Sequence, residues 1–157
     1  MHEETYTTAH QFQAYMEPLG ALADVDGQGR ITLYVPSQSI YFTRRLVAQA
    51  LQLPTTKIRV VQTCVGGAFG GKLGEDPMGH IASLLALKTG RPVRLLNNRI
   101  DALQASRPRM PAKIWLKMGV RDNGTIAAKE VEILGNNGAY SGFSSELIQV
   151  TDSRMDN

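Results

Sequence analysis

Residues 66–72, GGAFGGK, constrain the fold of this chain more than any other stretch. A β-branched run that includes Val60 and Val61 precedes them, and a helical pattern begins beyond them at Asp76. Closely spaced glycines allow positive φ angles and let a ligand approach the backbone. Successive N–H groups in such a loop can form an anion-binding nest. The stretch therefore predicts either a tight turn between a strand and a helix or a loop that contacts a ligand.

The segments before this loop indicate a hairpin, a helix and a strand. Residues 21–25 and 31–35 are strand-like runs separated by Asp-Gly-Gln-Gly, a combination that predicts a β-hairpin. Apolar residues at helical spacing follow and predict a helix. Ser37 or Ser39 can be its N-cap, and Pro54 ends it. The next strand is expected at residues 57–62, with Ile58 and Val60 on one face. Residues 1–12 are polar and aperiodic, and we interpret them as an extended lead-in.

A second helix is predicted directly after the glycine loop. Asp76 is a good N-cap, Pro77 suits the first helical position and Gly90 suits the end. One amphipathic face is predicted from the spacing of Met78, Ile81, Leu84, Leu85 and Lys88. Residues 93–96 then predict a short strand.

The remaining chain predicts a polar connection and a second hairpin. Residues 98–111 are polar and basic, with a helical turn at 100–104. Residues 113–120 and 126–134 are strand-like and flank Asp122-Asn123-Gly124, a strong hairpin signal. A second glycine cluster follows at residues 135–142, and the tail to Asn157 has no clear pattern.

This order of elements predicts an α+β fold. We expect a two-layer mixed sheet with helices on one face, built as hairpin-α-β-α-β, and then a second β-hairpin. The predicted regions are a first α+β unit at 1–97, a connection at 98–111, and a hairpin with the start of a truncated second unit at 112–157.

Composition excludes several classes of function. The net charge is +3, and the basic residues are spread without a run of five, so nucleic-acid binding is not indicated. Cys64 is the single cysteine, which excludes an internal disulfide and favours a reducing compartment. No apolar run approaches the length of a membrane span, and the N-terminus does not resemble a signal peptide. We therefore expect a soluble, cytoplasmic protein without nucleic-acid or membrane partners.

Common catalytic and metal-binding patterns are incomplete in this chain. The spacing from Gly66 to Lys72 satisfies most of the nucleotide-binding P-loop pattern, but Leu73 occupies the position that needs Ser or Thr. His2, His10, His80 and Cys64 lack the spacing of a zinc site. No serine lies in a strand-Ser-helix elbow.

Three other polar residues remain open to more than one interpretation. Cys64 either borders a site or is a small buried residue. Glu17 is expected to be solvated. Gln38 lies between a strand end and a helix start, where its amide either caps the turn or bonds to a ligand.

Several motifs, in order, resemble the xanthine dehydrogenase/aldehyde oxidase family of molybdenum hydroxylases. Residues 65–72 resemble the family's G-G-x-F-G-G-K motif, which lies in the large molybdopterin-binding subunit. Further similarities are Y-L-E-P-x-G-A-x-A at 14–23, S-S-Q-x at 36–39, K-T-G-R-P-V at 88–93, V-G-x-x-x-D-G-T-I at 119–126 and G-A-Y-S-G at 138–142. The resemblance covers residues 10–145.

The resemblance implies that the chain is an N-terminal fragment of a molybdenum-cofactor-binding subunit. The intact protein would hydroxylate or reduce an aromatic, heteroaromatic or aldehyde substrate. Its partners would be the remainder of the molybdenum subunit and iron–sulfur and FAD subunits or domains. The cofactor would be molybdenum-molybdopterin, in the cytosine dinucleotide form of many bacterial members. Leu73 replaces the glutamate that contacts the purine in xanthine-oxidising members, so a purine substrate is not implied.

The resemblance also implies roles for individual residues. Gln38 would hydrogen-bond the apical oxo group, and the loop would contact the metal's ligands and the pterin. The implied cofactor-binding set is Gln38, Gly66, Gly67, Ala68, Phe69, Gly70 and Gly71. No catalytic residue or metal ligand is implied in this chain, because the family's catalytic glutamate lies far downstream. The isolated chain is therefore expected to hold no cofactor and to be inactive.

Two other interpretations stay open from the sequence. One is a small binding module whose glycine loop binds a phosphate-bearing ligand, and the other is a structural fragment without a ligand. We also expect the isolated chain to form a homodimer, because the apolar faces and strand edges of the hairpin at 113–134 would lack their cover. Exchange of an element through residues 97–111 is one way to form it.

Overall fold

The computed structural model describes residues 1–74 and 77–138. The strands are β1 (His2–Thr7), β2 (Gly20–Val25), β3 (Ile31–Val35), β4 (Ile58–Gln62), β5 (Val93–Leu96), β6 (Ala112–Val120) and β7 (Ile126–Gly135). The helices are α1 (Ile40–Leu51), α2 (Pro77–Thr89) and α3 (Arg99–Ala105), with a short 3-10 turn at Thr55–Lys57. The chain forms two compact units, one from Phe12–Arg107 and the other from Met1–Gln11 with the residues from Pro108 onward.

The larger unit contains a four-stranded sheet in the order β4-β3-β2-β5. Strands β2 and β3 form the predicted antiparallel hairpin, β4 runs parallel to β3, and β5 runs antiparallel to β2. The turn of the hairpin is closed by Asp26, whose Oδ1 accepts hydrogen bonds from the N–H groups of Gln28 and Arg30 at 2.9 Å each. The mixed sheet predicted from the sequence is therefore confirmed.

One face of this sheet forms the core of the unit. Buried and more exposed residues alternate along β2 and β3, as they do in a strand that packs on one side only. The core residues are Ala21, Ala23, Ile31, Leu33, Val35 and Ile58 of the sheet, Val47 and Ala48 of α1, and Ala82 and Ala86 of α2. Helices α1 and α2 thus pack on one face of the sheet, which confirms the predicted α+β fold.

The predicted buried face of α2 is wrong. The buried residues are Gly79, Ala82, Ser83 and Ala86. Ile81, Leu84 and Leu85 are instead 37–43% exposed. A Cβ on Gly79 would lie 3.2 Å from Leu33 Cδ2, so the small residues let the helix approach the sheet closely. A helix that is apolar on most sides gives no periodic signal that separates its small-residue face from its large-residue face.

The predictions for helices α1 and α3 are confirmed in part. Helix α1 ends at Leu51, and its C-cap Gln52 adopts a left-handed conformation with φ 55°, two residues before Pro54. Ser39 is at the N-cap position, but its side chain makes no capping bond; Ser37 Oγ accepts from the Ser39 N–H at 3.0 Å. The helical turn predicted at 100–104 is confirmed as α3, which begins with a reciprocal capping box between Asn98 and Asp101.

The smaller unit is a three-stranded antiparallel sheet in the order β1-β6-β7. The predicted hairpin of β6 and β7 is confirmed, with Gly124 at φ 84° in its turn. The interpretation of residues 1–12 as a lead-in is wrong, because β1 pairs with β6 along His2–Thr7. All six residues of β1 are exposed, so the strand lacks the alternation that identifies half-buried strands.

Two predictions lie outside the described residues: the N-cap at Asp76 and the pattern of the tail from residue 139 onward. Within the described part of the chain, no helix is long and apolar enough to cross a membrane.

Candidate functional site

The glycine-rich stretch forms an irregular loop in the larger unit, after β4 and before α2. Gly67 and Gly70 have φ angles of 90° and 87°, which non-glycine residues rarely adopt. Phe69 also has a positive φ, 50°, and its side chain is 75% exposed. A bulky residue with positive φ is strained, and such strain is often found at ligand-contacting loops. Ala68 is buried and is not among the positive-φ residues, so the alanine fits there without strain.

The other two glycines of the loop are required by close packing. A Cβ on Gly66 would lie 2.6 Å from Glu17 Cβ, and a Cβ on Gly71 would lie 2.8 Å from Tyr15 Cε1. Gln13 also approaches Gly71, and its Oε1 is buried without a hydrogen-bond partner among the described residues. The loop therefore lies directly on residues 13–17.

Gln38 bonds to the loop through the oxygen of its amide. Gln38 Oε1 accepts hydrogen bonds from the N–H groups of Gly70 at 3.1 Å and Lys72 at 3.2 Å. The Gln38 N–H donates to the Lys72 carbonyl at 2.7 Å. Because two donors use the oxygen, the orientation of the amide is set, and its NH₂ group has no acceptor among the described residues. The side chain is exposed at this position.

Three consecutive N–H groups of the loop are free within the described residues. Those of Gly66, Gly70, Gly71 and Lys72 all have acceptors. The N–H groups of Gly67, Ala68 and Phe69 have none among residues 1–74 and 77–138. Neutral backbone donors held in a fixed loop suit an oxo group or a developing oxyanion.

Lys72 lies inside the unit and forms an ion pair with Glu17. The Lys72 side chain is fully buried, its Nζ lies 2.5 Å from Glu17 Oε2, and it is 4.8 Å from the centre of the Tyr15 ring. Glu17 Oε2 also accepts from the Gly66 N–H at 2.8 Å. The Glu17 side chain is 34% exposed, so it is partly solvated as expected, but it is also paired because the loop folds back onto residues 15–17.

Arg99 fixes the segment that carries this carboxylate. Its Nη1 donates to the Tyr15 carbonyl at 2.9 Å and its Nη2 to the Met16 carbonyl at 2.6 Å. Tyr15 is fully buried and stacks edge-on against Phe12 at 5.1 Å. Sequence reasoning missed Tyr15, Glu17 and Arg99 as parts of the site, since their contacts join residues more than 48 positions apart.

Cys64 and His80 are the other candidates that the sequence offers. Cys64 is exposed, which excludes its interpretation as a buried residue. His80 lies on α2 and is partly buried. Among residues 1–74 and 77–138, no group of three His, Cys, Asp or Glu side chains could hold a metal ion.

Comparison with known proteins identifies the class to which this fold and loop belong. Residues 1–157 match the family described as the molybdopterin cofactor-binding domain. The chain therefore belongs to the molybdopterin cofactor-binding domain family. The match confirms the resemblance that the motifs carry.

Two curated relatives are also named as molybdenum-binding or molybdopterin subunits. The xanthine dehydrogenase molybdenum-binding subunit of Escherichia coli is 36% identical over 142 residues, which are 88% of this chain and 18% of that protein. The nicotinate dehydrogenase large molybdopterin subunit of Eubacterium barkeri is 34% identical over 146 residues, 93% of this chain and 34% of that protein. The chain thus spans about a fifth to a third of the length of these two curated relatives.

A solved structure shows the same fold. The aldehyde oxidoreductase from Desulfovibrio gigas matches with a TM-score of 0.86 and 26% identity, over 92% of this chain and 16% of that one.

Proposed function

We propose that this chain is part of the molybdenum-cofactor-binding subunit of an oxidoreductase that acts on aromatic, heteroaromatic or aldehyde substrates. The observation that carries the proposal is the glycine loop with its fixed Gln38 amide and with three N–H groups, at Gly67, Ala68 and Phe69, that have no acceptor within residues 1–74 and 77–138. Relatives named for nicotinate and for aldehyde substrates support the heteroaromatic and aldehyde classes. Leu73 at the position of the purine-contacting glutamate speaks against a purine.

The residues of the loop fit a molybdenum-molybdopterin cofactor. The cofactor supplies the redox chemistry when bound, and the protein supplies orientation and hydrogen-bond donors. We assign Gln38 as the donor to an oxo group. The rest of the proposed cofactor-binding set is Gly66, Gly67, Ala68, Phe69, Gly70 and Gly71. Among these, Gly66 and Gly71 act by allowing close packing on residues 15–17, and the others by presenting backbone.

The alternative of a phosphate-binding module is less well supported. A phosphate loop uses its lysine as a cation for the ligand. Here the Lys72 ammonium is fully buried and paired with Glu17, so its charge is already neutralised inside the unit.

The proposal also covers the partners, the form of the cofactor and the location of the protein. We propose the remainder of the molybdenum subunit and iron–sulfur and FAD subunits or domains as partners, the cytosine dinucleotide form of the pterin, and a cytoplasmic location. The regions 1–97, 98–111 and 112–157 remain a proposed division. Limited proteolysis tests it, with cleavage expected after α3, at residues 106–111.

Molybdenum analysis of two forms of the protein tests the function. The intact subunit that contains this chain is expected to hold molybdenum and to oxidise an aldehyde or heteroaromatic substrate. The 157-residue chain alone is expected to hold no stoichiometric molybdenum and to show no activity. An intact, folded subunit without molybdenum would contradict the proposal, and a loaded 157-residue chain would contradict the inactivity of the isolated chain.

A further inference from the structure

We infer that Glu17 is the positioning residue of the glycine loop, because one of its oxygen atoms holds both ends of the loop at once. Glu17 Oε2 accepts from the Gly66 N–H at 2.8 Å and from Lys72 Nζ at 2.5 Å. The Glu17 N–H also donates to the Gly66 carbonyl at 3.1 Å. The Glu17 carboxylate thereby links residues 66 and 72, which are the first and last residues of the loop. The inference rests on the proposed function only for what the loop contacts.

The charge of Glu17 is what holds the second end. The Lys72 ammonium is fully buried, and a buried cation is stable only when it is paired and hydrogen-bonded. Its other neighbour, the ring of Tyr15, offers a weaker cation–π contact at 4.8 Å. Without the carboxylate, the buried ammonium would lose its counter-ion, and the contact that holds the side chain of Lys72 would be lost.

Lys72 connects this ion pair to Gln38. Its side chain binds Glu17, while its backbone N–H and carbonyl both bind Gln38, at 3.2 Å and 2.7 Å. The Gly70 N–H donates to the same Gln38 oxygen. A displacement of Lys72 therefore alters the orientation of the Gln38 amide, although Glu17 does not contact Gln38.

The backbone immediately before Glu17 is also held in place. The Arg99 guanidinium donates to the carbonyls of Tyr15 and Met16, the two residues before Glu17. Arg99 thus fixes the backbone from which the Glu17 side chain reaches the loop.

Amide hydrogen exchange on the full 157-residue chain tests the inference directly. In Glu17→Gln and in Lys72→Met, the amides of Gly70 and residue 72 are expected to exchange about tenfold faster or more, because a charge-assisted contact is lost. The control is Arg30→Met, which breaks the exposed ion pair with Asp26 and should leave both amides unchanged. An equal rise across the strands of the sheet would show a general stability effect and overturn the inference.

The double variant Glu17→Gln/Lys72→Met covers the case in which a single variant does not fold. It removes both charges together, so no buried ammonium is left without its counter-ion. Faster exchange at Gly70 and residue 72 in this folded variant supports the positioning role, and exchange as in the unaltered chain overturns it.

Cofactor retention gives a second readout in the intact subunit. Molybdenum per folded protomer is expected to fall in Glu17→Gln and to stay unchanged in Arg30→Met. Equal molybdenum in both variants would count against the inference. Absence of molybdenum from the unaltered subunit would count against the proposed function alone, and hydrogen exchange would then decide the role of Glu17.

Discussion

The oxygen and the NH₂ group of the Gln38 side-chain amide have different roles. The oxygen fastens the loop through Gly70 and Lys72, and the NH₂ group is the donor that the proposed function assigns to an oxo group. The sequence pattern predicts Gln38 at a turn but does not predict its hydrogen bonds to the loop, because the partners lie 32 and 34 residues later in the chain.

Matched variants separate these tasks. Gln38→Glu keeps an oxygen acceptor for both loop amides and removes the NH₂ donor, whereas Gln38→Ala removes both. In an intact, loaded subunit, turnover should fall on the order of a hundredfold in Gln38→Glu, since one preorganised donor is lost. Gln38→Ala should in addition speed amide exchange at Gly70. Unchanged turnover in a folded, loaded Gln38→Glu subunit would refute the donor role.

Asp26 gives a pH-dependent prediction at the same scale. Hydrogen bonds from the Arg30 backbone and side chain lower the pKa of the Asp26 carboxyl below its ordinary value of 3.8. The unfolded chain then binds the proton more readily than the folded chain, so this contribution to stability is present above pH 3.8 and is lost as the pH falls through the lowered pKa.

Denaturant unfolding at a series of pH values measures this effect. The free energy of unfolding of the unaltered chain should fall relative to Asp26→Asn as the pH drops below 3.8, since asparagine does not titrate. A constant difference between the two proteins over that interval would contradict the assignment.

Two buried serines offer a test at the scale of the elements. Ser83 on α2 is fully buried, and its hydroxyl has no hydrogen-bond partner among the described residues. Ser37, at the start of the turn before α1, is equally buried but shares a hydrogen bond with Thr43 Oγ1 at 2.8 Å and accepts from Ser39. The same substitution should therefore have opposite consequences in the two elements.

Ser83→Ala is expected to leave stability unchanged or to raise it by about 1 kcal/mol, because an unsatisfied hydroxyl is removed from a helix. Ser37→Ala is expected to lower stability by about 1–3 kcal/mol, because its partners lose a buried bond. Thermal or denaturant unfolding of the two variants side by side measures the difference. A larger loss in Ser83→Ala than in Ser37→Ala would reverse the expected order.

The elements also show where sequence reasoning succeeds and where it fails. Turns with specific chemistry were predicted well: the hairpin at Asp26, the hairpin at Asn123-Gly124 and the helix start at Pro77 are all present. These signals are local, so the residues that produce them are neighbours in sequence. The buried face of α2 and the pairing of β1 depend on what the element packs against, and the residues alone do not carry that information.

At the scale of the whole molecule, we expect the isolated chain to form a homodimer. Among the described residues, β7 pairs with β6 on one side only, and Ile126 and Leu134 are 58% and 68% exposed. β1 covers the opposite edge of β6, so fewer edges are open than the sequence predicted. An open strand edge with apolar neighbours favours pairing with a second copy.

Light scattering coupled to size-exclusion chromatography measures the mass of the chain directly. A dimer mass is expected at high concentration, and Ile126→Lys on the exposed strand should shift it toward the monomer. Val25→Thr, in the other sheet, is the control and should not. A single monomer mass across a wide range of concentrations would refute the dimer.

The pairing of β1 with β6 has a consequence for how the chain is made. His2 pairs with Met118, so the first strand leaves the ribosome about a hundred residues before its partner. At typical synthesis rates this delay is about 5–20 s. The contiguous unit Phe12–Arg107 is complete within that interval, whereas β1 gains its β6 partner only afterwards. Its sequence, HEETYT, is polar enough to stay unpaired in water without recruiting another nascent chain. The exposed, polar residues of β1 give no alternating pattern that sequence analysis could detect. The same polar residues disfavour pairing with another nascent chain before β6 is synthesised.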